Sequence, residues 1–224
     1  MAFNLIFDYD GTLHDSIKVY APALRRTYAG LAAKGLVPLR NLSDEDIAGW
    51  LGWSPRDMWN SFAPDLSDEI KQRSIESVGR GMLQGIVAGN SMLYPGTLDV
   101  LAELHDDGHT LIFLSNCRHD YMEAHRANFA LDRFFSGFYC SEDYGQIPKP
   151  RIFEHIRDDF GGGGTGVNEF VAIGDRFHDM ELAFEHGLRS IGCLYGYGDP
   201  VELKDATATV ERITDIPAVL ASWA

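Results

Sequence analysis

No apolar run in the 224 residues approaches the ~20 that a membrane-spanning helix needs. Nor does the sequence open on a basic stretch followed by an apolar signal core, so a cytoplasmic protein with no membrane partner is expected. Cysteine is scarce: Cys117, Cys140 and Cys193 are odd in number and scattered, without a Cys-x-x-Cys pair. That spacing signals neither a disulfide framework nor a zinc site, and ordinary buried or half-buried thiols are expected. Positive charge is short as well, 19 Lys and Arg against 33 Asp and Glu, leaving a formal net charge of −14 and no basic cluster. Such a balance argues against nucleic acid or an acidic membrane as partner. An anionic substrate would need a local metal or a few placed cations to draw it in. Internal repeats and long low-complexity tracts are missing too, and nothing in the sequence reads out the oligomeric state. With 45% hydrophobic and 23% charged residues, the chain suits one globular domain or a core with a smaller insert.

What the sequence does carry is an apolar run, Phe3-Asn4-Leu5-Ile6-Phe7, that ends abruptly in Asp8-Tyr9-Asp10-Gly11-Thr12-Leu13. A near-continuous apolar run is the mark of a strand buried in a parallel sheet, and ligands of open α/β sheets gather beyond the carboxyl ends of the strands. Asp8 and Asp10 therefore belong at the mouth of a site. Tyr9 separates them, so in an extended segment both carboxylates leave on the same side, and Gly11 lets the backbone turn sharply. Two such charges repel by about 4 kcal/mol at about 4 Å and an effective dielectric near 20. A divalent metal would offset that repulsion, attract an anion and leave one carboxylate oxygen free as a nucleophile. Taken alone, Asp-x-Asp-Gly-Thr also fits a strand that simply ends in a polar turn.

Helical spacing follows from Ser16 to about Lys34, and Ser43, Ser54-Pro55 and Ser67 each look like a helix start, the last opening a stretch to about Arg80. A strand-to-strand crossover needs about a dozen residues, whereas the next clear strand waits until Thr110, so residues 16–90 are expected to form an inserted helical domain and 1–15 with 91–224 an α/β core. Within the insert, Gly49-Trp50-Leu51-Gly52-Trp53-Ser54-Pro55 combines two glycines with two tryptophans, and the loop from Trp50 to Arg56 is where a substrate contact would fall. It reads either as a loop reaching a substrate through Trp53 or as packing between helices. From Tyr94 onward, helices and strands alternate as in a doubly wound sheet: strands at Thr110 to Leu114, Phe138 to Cys140, Phe170 to Gly174, Arg189 to Leu194 and Ala208 to Val210, and a closing helix from Ile216 to Trp223. The glycine run 161–166 follows a helix and precedes a strand, the reverse of a phosphate-binding loop, and is expected to be a surface connection.

Three polar clusters thus end three apolar strands: Asp8 with Asp10, Ser115 with Asn116, and Asp175 with Asp179, and Lys149 falls between the last two. Taken singly, Ser115 reads as a helix cap, Lys149 as a surface lysine, His14 as a structural histidine and Arg118 and Arg176 as solvent-facing. In that order and spacing, Asp8-Tyr9-Asp10-Gly11-Thr12, Ser115, Lys149-Pro150 and Gly174-Asp175-Arg176-Phe177-His178-Asp179 resemble the motifs of the haloacid dehalogenase superfamily, in its phosphoglycolate-phosphatase-like branch. The resemblance implies a Rossmann-like doubly wound core with a helical cap of the first type, and a phosphatase of small phosphorylated metabolites. It implies that Asp8 attacks phosphorus, that Asp10 serves as acid and then base with its proton held by neighbouring negative charge, and that Ser115, Asn116 and Lys149 bind the phosphoryl oxygens. Mg²⁺ would be held by Asp8, Asp175 and the backbone carbonyl of Asp10, with Asp179 orienting Lys149 or a metal water, and with His14 and Trp53 as possible substrate contacts. The alternatives are a phosphomutase of the same superfamily, or a non-catalytic phosphate-binding or interaction module.

Overall fold

The computed structural model describes residues 1–161 and 169–223. The expected surface connection at 161–166 lies, beyond Gly161, outside the described residues. The chain divides into two compact units, Met1–Asp15 with Leu93–Ala224, and Ser16–Met92. Among the described residues, no helix is long and apolar enough to cross a membrane.

The first unit is built on a six-stranded parallel sheet of β1 (Phe3–Phe7), β2 (Thr110–Ser115), β3 (Phe135–Cys140), β4 (Glu169–Gly174), β5 (Arg189–Cys193) and β6 (Ala208–Val210), in the spatial order β3-β2-β1-β4-β5-β6. Every residue of β1 is buried, which is what a central strand covered on both faces demands. Each large apolar side chain so buried contributes about 1.5–3 kcal/mol. Strand order reverses between β1 and β4, and that reversal opens a crevice at the carboxyl ends. Phe7 pairs with Phe113 on one side and Ile173 on the other, so Asp8, Ser115 and Asp175 emerge along one edge of the sheet.

The second unit holds α1 (Ile17–Ala33), α2 (Asp44–Ala48), α3 (Pro55–Phe62) and α4 (Asp68–Val87). Ser43, Ser54 and Ser67 each accept a backbone N–H at the start of their helix, as their positions in the sequence suggest. The last of these helices runs past the expected stop at Arg80. Gly81 and Gly85 do not break it, because they face Ala23 and Val19 of α1, where a β-carbon on Gly81 would come within 2.9 Å of Ala23. Trp53 stands 46% exposed on the turn before α3.

The remaining helices belong to the sheet unit: α5 (Thr97–Asp106), α6 (His119–Asn128), α7 (Lys149–Phe160), α8 (Phe177–His186) and α9 (Ile216–Ala221). The third strand begins at Phe135, earlier than expected, since Ser136 and Gly137 gave it no apolar run to read.

Candidate active site

Past β1 the chain doubles back at once. The carbonyl of Tyr9 accepts the N–H groups of Leu13 and His14, each at 2.9 Å, and Gly11 N–H donates to the His14 carbonyl at 2.9 Å. Gly11 has φ +88°, and a β-carbon there would stand 2.2 Å from Asp175 Oδ2. No other residue fits both the backbone and the space. The turn is what lets the ends of β1 and β4 close on each other.

Asp175 is buried at the end of β4. Its Oδ1 accepts from the Thr12 hydroxyl at 3.2 Å and its Oδ2 from the Tyr197 N–H at 2.8 Å, while Gly196 and Gly198 pack so closely that a β-carbon on either would overlap it. Asp179 lies in the first turn of α8, where an acid is favoured by the helix dipole. One of its oxygens accepts the Arg176 N–H at 3.2 Å and the other the Lys149 ammonium at 2.6 Å. Lys149 is the unusual member. It opens α7, where a cation opposes the dipole, and its side chain is 3% exposed. Its Nζ reaches Asp8 Oδ1 at 2.7 Å as well as Asp179, so a locally unfavourable residue is held by the acids it joins.

Asp8, Asp175 and Asp179 bring one oxygen each within 4.8 Å of one another, with Lys149 the cation that pairs two of them. Burial drives the Asp8 carboxyl well above its ordinary range, and Asp179 and Asp175 add to this against the pull of Lys149. Burial likewise pushes Asp175 up to about 7, with Asp179 contributing. Burial opposes the charge on Lys149, but its two carboxylate partners outweigh that and push it up. A buried, oxygen-only donor set with surplus negative charge fits a hard divalent cation.

Asp10 has a different environment. Burial favours its neutral form, but hydrogen bonds from His14 and Tyr121 outweigh burial and hold the carboxyl below its ordinary value. The expectation that neighbouring negative charge would raise it is thus corrected for the resting site: its nearest partners are donors. His14 Nδ1 stands 3.0 Å, and the Tyr121 hydroxyl 2.7 Å, from the same oxygen, Oδ1. His14 Nε2 is buried without a partner, so the ring proton belongs on Nδ1, which faces oxygens. Tyr9 stacks on His14 with ring centroids 5.1 Å apart, and His125 packs against both; burial and His14 hold His125 down at about 3, hence neutral.

His14 is fully buried, and the substrate contact expected of it gives way to a contact with Asp10. Ser115 is buried and Asn116 exposed at the end of β2. Arg176 is not solvent-facing: its guanidinium spans both oxygens of Glu202, at 3.0 and 3.3 Å. Arg118, on the surface, pairs with Asp120. Trp53 belongs to the helical unit. Sequence reasoning missed Tyr121 and His125, whose signal is two polar aromatics four residues apart on one helix, and Tyr197 with its flanking glycines, which look like an ordinary turn.

Tyr121→Phe removes one of two donors from an ionised carboxylate, an interaction of about 1.5–3 kcal/mol. Turnover is expected to fall about 10- to 100-fold with KM little changed. The acidic limb of the pH profile should move upward, since the anion of Asp10 loses support. An unaltered kcat and profile would remove Tyr121 from any positioning role.

The family model for haloacid dehalogenase-like hydrolases matches residues 4–187. The chain is similar to a phosphoglycolate phosphatase of Agrobacterium fabrum, 26% identical over 197 residues that cover 87% of this chain and 81% of that protein. It is also similar to a 5′-nucleotidase of Pseudomonas aeruginosa, 26% identical over 204 residues, 90% of this chain and 86% of the other. In fold it is similar to a haloacid dehalogenase-like family hydrolase of Streptococcus pneumoniae, with a TM-score of 0.79 at 22% identity over 98% of both chains. With the match spanning every strand end that carries a site carboxylate, the chain belongs to the haloacid dehalogenase-like hydrolases.

Proposed function

We propose that this protein is a Mg²⁺-dependent phosphatase that hydrolyses a small phosphorylated metabolite through an aspartyl-phosphate on Asp8. The observation that carries the reading is the convergence of Asp8, Asp175 and Asp179 around one buried lysine, at the carboxyl edge where the strand order reverses.

In the first half-reaction an Asp8 carboxylate oxygen bonds to phosphorus as the bond from phosphorus to the leaving oxygen breaks, and Asp10 gives that oxygen a proton. In the second, Asp10 takes a proton from water, the water oxygen bonds to phosphorus, and the bond to Asp8 breaks to release phosphate. Asp10 rests ionised, so it takes up its proton as an anionic substrate adds negative charge beside it. Lys149 and the Ser115 hydroxyl hold phosphoryl oxygens, with Asn116 at the rim. Lys149 also fixes which oxygen of Asp8 stays free, and Asp179 holds Lys149. Asp8, Asp175 and the Asp10 carbonyl would hold Mg²⁺, which supplies positive charge against the gathered anions.

The relatives named above set the panel for the deciding assay: phosphoglycolate, nucleoside 5′-monophosphates and sugar phosphates, each with Mg²⁺ and with chelator. Metal-dependent phosphate release from at least one is expected. No release from any of them, with the protein folded and metal present, would sink the phosphatase reading.

The metal assignment has a separate test in stability. A carboxyl raised in the folded state contributes stability that is fully present below its unfolded pKa and lost as pH rises through the folded value. For Asp175 that window runs from its ordinary 3.8 up to about 7. The loss is of the order of 4 kcal/mol, and Asp8 adds in the same direction. Mg²⁺ relieves the repulsion only where the carboxylates are ionised. The rise in Tm on adding Mg²⁺ is therefore expected to be larger at pH 8 than at pH 5.5. Equal rises would place the cation elsewhere.

A further inference from the structure

At the end of β3, where Cys140 pairs with Ser115 of β2, His119, Cys140 and Asp143 bring one ligand atom each within 4.8 Å of one another. They come from separate segments: His119 opens α6, Cys140 ends β3, and Asp143 lies in the tight turn Ser141–Tyr144 that follows. His119 Nδ1 stands 2.9 Å from Asp143 Oδ2, and the Cys140 thiol donates to the same carboxylate. Burial, with the Asp143 carboxylate, pushes the Cys140 thiol up to about 11 even though the backbone N–H groups of Asp143 and Glu142 are directed at its sulfur. A metal ion must therefore displace the thiol proton to bind the sulfur. A further bond, from His119 N–H to Glu142 Oε2 at 2.8 Å, ties the two segments together. Cys140 is buried, whereas the His119 and Asp143 side chains are 54% and 39% exposed, so the sulfur forms the floor of a cluster open to solvent.

We propose that His119, Cys140 and Asp143 form a binding site for zinc or another thiophilic divalent cation, separate from the carboxylate site. A sulfur, nitrogen and oxygen donor set selects such an ion over magnesium. Three protein ligands leave one position of a tetrahedral ion for water. The Cys140 thiol proton now bridges toward Asp143; on binding, that proton leaves to solvent and the sulfur–metal bond takes its place, while the proton that His119 Nδ1 gives to Asp143 moves to the other ring nitrogen or to solvent, so at least one proton is released per ion.

Cobalt titration of the whole chain tests this, with excess Mg²⁺ present to occupy the carboxylate site. A sulfur-to-metal charge-transfer band is expected, saturating at one ion per chain and abolished by added zinc. Cys140→Ser should lose the band and Cys117→Ser should keep it. His119→Gln and Asp143→Asn, at exposed positions that leave the core untouched, should each weaken binding about tenfold or more. The proposal is overturned by the absence of a band in the unaltered protein, by its survival in Cys140→Ser, or by unchanged affinity in both exposed-site variants.

Discussion

Asp8→Asn is expected to cut turnover of any phosphate ester about 10⁴-fold or more while leaving the fold intact, because an amide offers phosphorus no anionic oxygen. The substitution preserves shape, and the amide oxygen still accepts from Lys149 where the carboxylate oxygen now lies 2.7 Å away. Its effect on stability should run opposite to its effect on rate. Burial and the neighbouring Asp179 and Asp175 act against the Asp8 charge, so a neutral isostere relieves repulsion in the metal-free protein. At pH 8 the melting temperature without metal should equal or exceed that of the unaltered chain. Acid-quenched protein incubated with labelled substrate should retain phosphate only when Asp8 is present. Turnover within about tenfold of the unaltered enzyme would remove Asp8 from the nucleophile's role.

Why some of this was legible in the sequence follows from where the chemistry sits. Phe3 to Phe7 and Phe170 to Gly174 are apolar runs with no helical period, and a carboxylate directly after such a run has few places to go but the rim of a parallel sheet. The alternation that predicted the sheet is the same signal that located Asp8, Ser115 and Asp175. Other residues carry no local signal. Tyr121 and His125 sit inside an ordinary amphipathic helix, and only its packing against Tyr9 and His14 brings the Tyr121 hydroxyl to Asp10, with His125 against the rings of Tyr9, His14 and Tyr121. His14 follows a recognisable motif, yet the direction of its ring depends on the four backbone N–H to carbonyl contacts that fold residues 9–14 back on themselves. The stretch expected to end at about Arg80 fell short of α4 because the use of Gly81 and Gly85, close approach of a second helix, is invisible to one-dimensional spacing. The same blindness hid the cluster at Cys140, since its ligands share no short Cys or His spacing and meet only when β3 and α6 end side by side.

Lys149→Met is the variant expected to cost most in stability. It replaces a buried ammonium by a side chain of similar length, and it leaves Asp8 and Asp179 without the cation that each contacts, at 2.7 and 2.6 Å. Breaking a buried ion pair by removing one partner costs about 3–5 kcal/mol, equivalent to a fall of roughly 6–20 °C in melting temperature for a chain of this size. Turnover should fall about 10²- to 10³-fold in addition, the usual loss when one charged donor to a developing anion is removed. Two further measurements separate charge from packing. Added Mg²⁺ should recover more stability in this variant than in the unaltered chain, because it meets an uncompensated set of carboxylates. Lys149→Met combined with Asp179→Asn should then be more stable than Lys149→Met alone, since the second change removes a buried charge that has lost its partner, while turnover stays low. If the double variant is less stable than the single one by the full cost of Asp179→Asn, the lysine acts by filling space, and its electrostatic role is refuted.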